Sequence, residues 1–539
     1  MKEKIIILGA GVMQGPVIKI AKELGFYAIV LDGSSQAPCI AAADQFEQID
    51  LKNKEEIETF ARSLQKEGGR LGIMTAGTDF SASVAWTAEK LGLPGIPYEA
   101  ALNASDKSRM RGCFKKAGLP SPDFISITKE SDLNSIPLAF PLVVKPVDNM
   151  GSRGCRRADN ISQLRDAVKT AIGFSRSGRA IAENYMEGPE YSVDAIVYHG
   201  EITICGLADR HIFFPPYFIE MGHTMPSIAE NENKEAMLDT FCGGIRALGL
   251  AGEKSIGAAK GDIKMTANGP MIGEIAARLS GGYMSGWTYP YSSGAFPVKG
   301  AILAAMGRPP EGLVPLKTWT CAERAFISIP GTVKALYNTD ETQKEIFINN
   351  IFFRIEEGSK VSFPENNVTK CGNVIASAQE RENAINAAET AARSILIRLD
   401  PSDKETEKFL LNNACNNPTA PQFENNKFPP DAFTLSNELK KALNQIPESK
   451  ISDPHLSAAN CRLISFPAFE TSGICDYMGR TVKEALNAVR QITGLPLSET
   501  VGDQKENAEN IMLGRSFWAA LIRGSYQGAV FYIDNLGAK

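Results

Sequence analysis

The chain is 539 residues long and 43% hydrophobic, which at ~150 residues per domain allows about three to four domains, each able to bury a core. Its 57 basic and 62 acidic residues nearly balance, for a net charge of −5, and that argues against nucleic acid or an anionic membrane as a partner. No apolar stretch reaches the ~18–20 residues needed to cross a bilayer, so a cytoplasmic protein without a membrane span or an export signal is expected.

The first elements in chain order alternate strand and helix. Lys4–Leu8 reads as a buried strand, Gly9 to Gly15 as a glycine-rich turn, and Val17–Leu24 as a helix stopped by Gly25. Apolar runs at Tyr27–Leu31 and Leu71–Thr75, the latter followed by a helix over Ser81–Leu91, predict a small parallel sheet wound with helices, a Rossmann-like domain over 1–104. The turn has the spacing GxGxxxG with Asp32 beyond it. That pattern admits a dinucleotide site but also a bare scaffold, because bulky Met13 and Gln14 stand where a pyrophosphate would approach. Thr78 and Asp79, at the end of a strand, sit either where such sheets present ligands or as a cap for the next helix.

A second texture begins near residue 105. Ser105-Asp106-Lys107 opens a helix that ends at Gly118, and the strand Phe140–Lys145 leads into the loop 146–154, which contains Gly151 and Gly154. A helix over Ser162–Ile172 follows, then strands at Ala180–Tyr185, Tyr191–Tyr198 and Ile202–Leu207, with a hairpin turn at His199-Gly200. Residues 209–223, rich in aromatics and prolines, read as a loop. Helices are expected at Lys234–Leu248 and Ala295–Met306, and strands at Gly257–Met265 and Met271–Ile275 are joined by a turn at Asn268-Gly269. Beyond 312 an α+β domain runs to 411, with a strand at Ala322–Ile329 and a helix over Glu380–Leu396. The Asn/Pro-rich stretch 412–430 reads as a linker. An accessory domain over 431–539 follows, with helices at Val482–Ile492 and Arg515–Leu521.

The ten cysteines form no C-x-x-C pair and read as reduced packing residues. His199, His211 and His223 are twelve residues apart, which is no helical spacing for zinc.

Four elements carry the chemistry. They are Lys107 on a capped helix, Lys145 at the end of a strand before the glycine loop, Glu183 and Glu190 in the segment 183–190, and Asp262 with Glu274 on paired strands. Lysines offer point charges to phosphate oxygens, carboxylates hold a hard cation, and loop glycines let backbone N–H groups fold over phosphates. In this order the residues resemble the ATP-grasp superfamily across about 1–400. Gly261-Asp262-Ile263-Lys264 and the run from Glu274 through Arg278 to Gly282 most resemble its L-amino-acid ligase branch. The chain is also similar to the biotin carboxylase and carbamoyl-phosphate synthase group.

The resemblance implies an α/β and α+β multidomain protein whose ATP-grasp core, 105–312, consists of two α+β subdomains. It implies that Lys107 and Lys145 contact ATP phosphates, that Gly151, Ser152, Arg153 and Gly154 form the lid, and that Glu183 with the backbone of Tyr185 and Met186 meets the adenine. Glu190 would take the ribose, and Asp262 and Glu274 would hold Mg2+ or Mn2+. The family asparagine is replaced by Ala276, so water, a bridging Glu274 or a single metal must compensate. Arg278 would clamp carboxylate and acyl phosphate, and the N–H groups of Ser280-Gly281-Gly282 would stabilise an oxyanion. In the amino-acid ligases a Glu-x-x-His segment borders the substrate, which makes Glu220 and His223 either amine-handling residues or parts of a structural loop.

The implied activity is ADP-forming ligation of a small carboxylate, an amino acid foremost, to an amine through an acyl phosphate. Its partners would be those small molecules, with a homodimer as one open form. Competing possibilities are an ATP-grasp enzyme using bicarbonate, formate or ammonia, a non-catalytic nucleotide binder, and an NAD-dependent oxidoreductase.

Overall fold

The computed structural model describes residues 2–411, 435–450, 461–499 and 511–538; the expected linker lies outside them. The chain divides into two compact units. The first comprises Met1–Ile212, Glu220–Glu323 and Ile375–Ile385. The second comprises Phe213–Ile219, Arg324–Val374 and Asn386–Lys539.

The first unit opens with β1 (Lys4–Leu8), α1 (Gly15–Glu23), β2 (Tyr27–Asp32), β3 (Gln45–Gln48), α2 (Lys54–Lys66), β4 (Leu71–Thr75) and α3 (Ser81–Leu91). The strands form a parallel sheet in the order β3-β2-β1-β4. Sequence reading misses β3 and α2, because β3 is a polar four-residue strand on the sheet edge, where one neighbour suffices and no apolar run is needed. Asp32 accepts the Ala10 amide at 2.9 Å and Gln14 accepts that of Gly11 at 2.9 Å. The glycine-rich turn is therefore closed on itself by its own side chains.

Two helices follow directly, α4 (Tyr98–Ser105), which sequence reading misses, and α5 (Lys107–Lys116), which it expects. Asp106 caps α5 by accepting the amides of Ser108 and Arg109 at 2.8 and 3.1 Å, which fixes the first-turn direction of Lys107. Next, β5 (Phe124–Ile127), β6 (Leu142–Pro146), β7 (Arg156–Ala158) and β8 (Ala180–Asn184) make an antiparallel sheet ordered β5-β8-β6-β7. It is covered by α6 (Ile161–Phe174), whose Leu164, Ala167, Val168 and Ala171 are buried against it.

The remaining strands of this unit, β9 (Glu190–Tyr198), β10 (Glu201–Phe213), β11 (Ile219–Met225), β12 (Ile256–Thr266) and β13 (Gly269–Ala276), run in the order β13-β12-β9-β10-β11. Between them in sequence lies α7 (Asn231–Ala247), and after them come a π-turn at Met284–Thr288, α8 (Tyr289–Ser293) and α9 (Pro297–Ala305). Both faces of this sheet are covered. Tyr191, Val193, Ala195 and Val197 pack with Phe241 and Ile245 of α7, while Ile196, Ile256 and Ala258 pack with Ile302 and Val298 of α9 and with β1. The stretch 209–223 is not the expected loop, because most of it belongs to β10 and β11. Its aromatics and prolines cluster around residues 213–218, and the flanking segments keep the alternation of a strand.

The second unit holds a sheet of Gly331–Tyr337 flanked by Lys360–Val361 and Leu396–Leu399, a parallel sheet of Ser498–Glu499, Cys461–Leu463 and Ile511–Leu513, and the helix Arg515–Ala538. Sequence reading separates 313–411 from 431–539, yet the described residues of both stretches from Arg324 on, apart from 375–385, share one unit. Buried polar groups tie them. Gln527 donates to Ser328 at 2.7 Å and to the Ile397 carbonyl at 3.2 Å, and accepts from Tyr477 at 2.7 Å and from the Ile329 amide at 3.2 Å. The long helix is kinked at Ser525, with φ of 54° and ψ of −151°, and the Ser525 hydroxyl donates to Asp476. Gln527→Ala strands these buried partners and is expected to cost about 2–3 kcal/mol, read as a lower denaturant midpoint at unchanged slope for the transition of this unit.

Candidate functional site

One face of the large sheet passes from apolar to charged along its strands. On β9 that face reads Ile196, Asp194, Ser192, Glu190, and on β12 it reads Ala258, Lys260, Asp262, Lys264, in register with each other. On β13, Glu274 stands opposite Asp262 and Ala276 opposite Lys260. Directly paired residues share a face, so the two expected metal carboxylates lie side by side. The Ser192 hydroxyl donates to Asp262 at 2.7 Å, and the Lys260 ammonium also contacts Asp262.

Lys107 is buried and places its ammonium 2.8 Å from Glu274, while donating to the Asn149 carbonyl at 2.8 Å. It therefore links the acid on β13 to the start of the glycine loop. One turn further along α5, Arg111 donates to Glu183 at 2.8 Å and to the Gly273 carbonyl at 2.6 Å. Lys145 reaches the other Glu183 oxygen at 2.7 Å, diagonally across β6 and β8. Burial opposes the ionised form of Glu183, but Arg111 and Lys145 hold its carboxyl below the usual range. Burial opposes Glu274 too, and Lys107 and Lys145 hold it well below. Glu183 is only 2% exposed with both oxygens engaged, so the structure gives it the task of positioning Lys145 and Arg111. The Arg111 role went unread in the sequence, although its spacing of four from Lys107 puts both on one helical face.

Arg210 of β10 gathers three acids. It contacts Glu190, lies 2.8 Å from Glu220 and is 3.3 Å from Asp262. Against the cost of burial, these carboxylates hold Arg210 firmly protonated. His223 Nδ1 is 3.0 Å from Glu323, and its Nε2 is 3.7 Å from Glu220. Gly282 has φ of +58°, and a Cβ there would lie 2.9 Å from the Glu220 carboxylate and 3.1 Å from the His223 ring. The backbone after Arg278 thus runs directly against the Glu220–His223 pair, and a side chain at 282 would collide with it.

The loop after β6 carries Gly151, Ser152 and Gly154 at positive φ, and Arg153 turns back onto Asn149 at 3.3 Å. In the 183–190 segment the Tyr185 amide donates to Pro141 at 3.0 Å and the Met186 carbonyl accepts from Lys264 at 3.0 Å. Lys264 also lies 3.7 Å from Glu190. The Ser280 amide, expected to face an oxyanion, donates instead to buried Asp194 at 2.8 Å. Arg278 donates to the Leu279 carbonyl at 3.0 Å, and its Nε is buried without a hydrogen-bond partner.

This donor set suits a nucleoside triphosphate and a divalent cation. Asp262 and Glu274 are held in the anionic form against burial, Asp262 by Arg210 and Lys260, and each already touches a lysine ammonium, a cation in the place where another would bind. Among the described residues no group of three or more metal-ligating side chains gathers; with Ala276 in place, the pair supplies two carboxylates.

A sequence model of the ATP-grasp domain matches residues 104–282, and one of the L-amino acid ligase C-terminal domain 2 matches 325–400. The crystal structure of an L-amino acid ligase from Bacillus licheniformis has the same fold, with a TM-score of 0.66 at 20% identity, covering 74% of this chain and 99% of that one. Alanine--anticapsin ligase of Bacillus subtilis is 29% identical over 256 residues, 43% of this chain and 53% of that protein. Carnosine synthase 1 of Gallus gallus is 24% identical over 335 residues, 57% of this chain and 35% of that protein. The chain spans about half the length, or less, of the curated relatives it matches.

Glu183→Gln leaves Arg111 buried beside a neutral partner and is expected to lower stability by about 3 kcal/mol. Because the folded carboxyl is depressed, the wild-type contribution is complete above the unfolded value of about 4.3 and is lost as pH falls toward the folded value. Acid titration of unfolding should therefore show a shallower acid limb in the variant than in the wild type.

Proposed function

We propose that this chain, which carries an ATP-grasp domain followed by an L-amino acid ligase C-terminal domain, is an ADP-forming ligase that joins a small carboxylate, in the first place an amino acid, to an amine. The observation that carries this reading is the convergence of Lys107, Glu274 and Asp262 in one partly buried charged array, with Lys145 contributing to the field at Glu274, and with Arg278 two residues past the end of β13.

In this reading Lys107 and Lys145 bind the ATP phosphates, Arg153 and the glycines around it cover them, and Glu190 holds the ribose. The segment at Tyr185 and Met186 borders the adenine through its side chains, since the Tyr185 amide and Met186 carbonyl already have partners. Asp262 and Glu274 would hold Mg2+ or Mn2+, which supplies positive charge to the phosphate oxygens. The substrate carboxylate, oriented by Arg278, attacks the γ-phosphorus in line and ADP departs, leaving an acyl phosphate. The amine, positioned near Glu220 and His223, then attacks the acyl carbon, phosphate leaves, and a proton passes to the nearby base. Arg210, 2.8 Å from Glu220, holds that carboxylate in one direction throughout.

Nucleotide products separated by chromatography, from ATP and magnesium offered with a matrix of amino acids and amines, test the reading. ADP and phosphate that appear with a particular acid and amine support it; AMP overturns it. Lys145→Ala and Glu274→Ala are each expected to lower ADP release by at least about 100-fold while circular dichroism stays native, and unchanged release in both would remove these residues from the site.

A further inference from the structure

The tip between β10 and β11 belongs with the second unit, although the strands it joins belong to the first: Phe213–Ile219 falls in the second, and β11 re-enters the first at Glu220. Phe214 and Phe218 have φ of 63° and 52°, the left-handed region that a bulky side chain occupies only where its surroundings hold it there. The Phe214 ring meets that of Phe363 edge-on, with centroids 5.1 Å apart. Phe363 in turn meets Tyr477 edge-on at 5.8 Å. Both distances lie within the range of about 4.5–7 Å at which such pairs attract, and all three rings are buried. The Tyr477 hydroxyl donates to Gln527 at 2.7 Å, the side chain that also bonds Ser328 and Ile397. A ladder of three rings therefore fastens the hairpin tip to the C-terminal stretch of the chain.

β11 starts at this tip. Ile219, its first residue, is fully enclosed, and Met221 and the residues from Gly222 to Met225 are buried as well. A strand packed in this way passes a displacement of one end along its length. Glu220 stands one residue from Ile219 and His223 three further on. Neither has much play, since a Cβ at Gly282 would lie 2.9 Å from the Glu220 carboxylate and 3.1 Å from the His223 ring.

We propose that the C-terminal stretch from residue 461 on is a positioning element for the amine side of the site. Tyr477, through Phe363 and Phe214, holds the tip and so sets where Glu220 and His223 stand. Tyr477 and Phe363 act through β11 and are positioning residues. The assignment rests on the ligase reading above. It makes attack of the amine on the acyl phosphate depend on the ring ladder, whereas formation of the acyl phosphate does not, because Lys107 and Lys145 are held by ion pairs of their own to Glu274 and Glu183.

The test uses the full chain with ATP and magnesium, each common amino acid offered in turn as the acid, and two nucleophiles. Glycinamide has to be positioned to react, while hydroxylamine is small and reactive enough to capture an acyl phosphate without a built amine site. In Tyr477→Leu and Phe363→Leu, kcat/KM for glycinamide is expected to fall about 10- to 100-fold while hydroxamate formation is retained. Tyr477→Phe, which keeps the ring, should recover most of the glycinamide rate. Arg398→Ala loosens the same unit elsewhere, by removing the pair with Asp534 at 2.9 and 2.6 Å, and should leave the ratio of the two nucleophiles unchanged. Hydrogen exchange reads the ladder without activity: amides of 219–225 should exchange about 10-fold faster in both leucine variants, with those of β12 at wild-type rates. An unchanged nucleophile ratio in the leucine variants, an equal fall for both nucleophiles, or the same change in Arg398→Ala would overturn the assignment. Absence of ADP release by the wild type with every acid would overturn the ligase reading, and the exchange result would then decide the ladder alone, unchanged exchange at 219–225 overturning it.

Discussion

Everything at the site depends on the register of β9, β12 and β13. Because Ser192, Asp262 and Glu274 sit opposite one another, a single face of sheet carries apolar residues at one end and charges at the other. The apolar end, through Ile196 and Ala258, is anchored in the core that includes β1 and α9. A slip of one residue would exchange the faces, driving Asp262 and Lys260 into the packing around Phe241. The core thus fixes where the charges stand, and the charges need no loop to hold them.

The ion pairs then divide the labour. Arg111 and Glu183 are fully enclosed and orient Lys145 from behind, while Arg210 does the same for Glu190, Glu220 and Asp262. Isolated charges in such burial would be expelled or neutralised, and each is retained because its partner is equally buried. The second unit is organised by a neutral counterpart, the Gln527 side chain, which satisfies donors and acceptors from three separate segments.

Much of this was legible in the sequence. Elements with a strong apolar period or an N-cap, such as β1, α5, α6 and β12, fall within a few residues of their expected positions, and Lys107, Lys145, Asp262 and Glu274 are adjacent in the fold as their order suggested. What escaped is tertiary. Nothing local marks Arg111 as the partner of Glu183, 72 residues away, or the Ser280 amide as a donor to Asp194, 86 residues away. The strands around 209–223 were hidden because the bulky tip between them dominated the composition. Gln45–Gln48 escaped because an edge strand can be polar and still pair. The order of residues names the chemistry; which groups are already spoken for is decided by contacts between distant segments.

Lys107 carries one further consequence. Its ammonium rests on Glu274 and Lys260 rests on Asp262, so the array is internally neutralised before any ligand arrives. A phosphate and a cation entering together would trade places with existing pairs: the lysines turn to the anion as the carboxylates turn to the cation. Binding is then an exchange between two equally neutral arrangements. In the proposed reading its free energy is a small difference between large opposing terms.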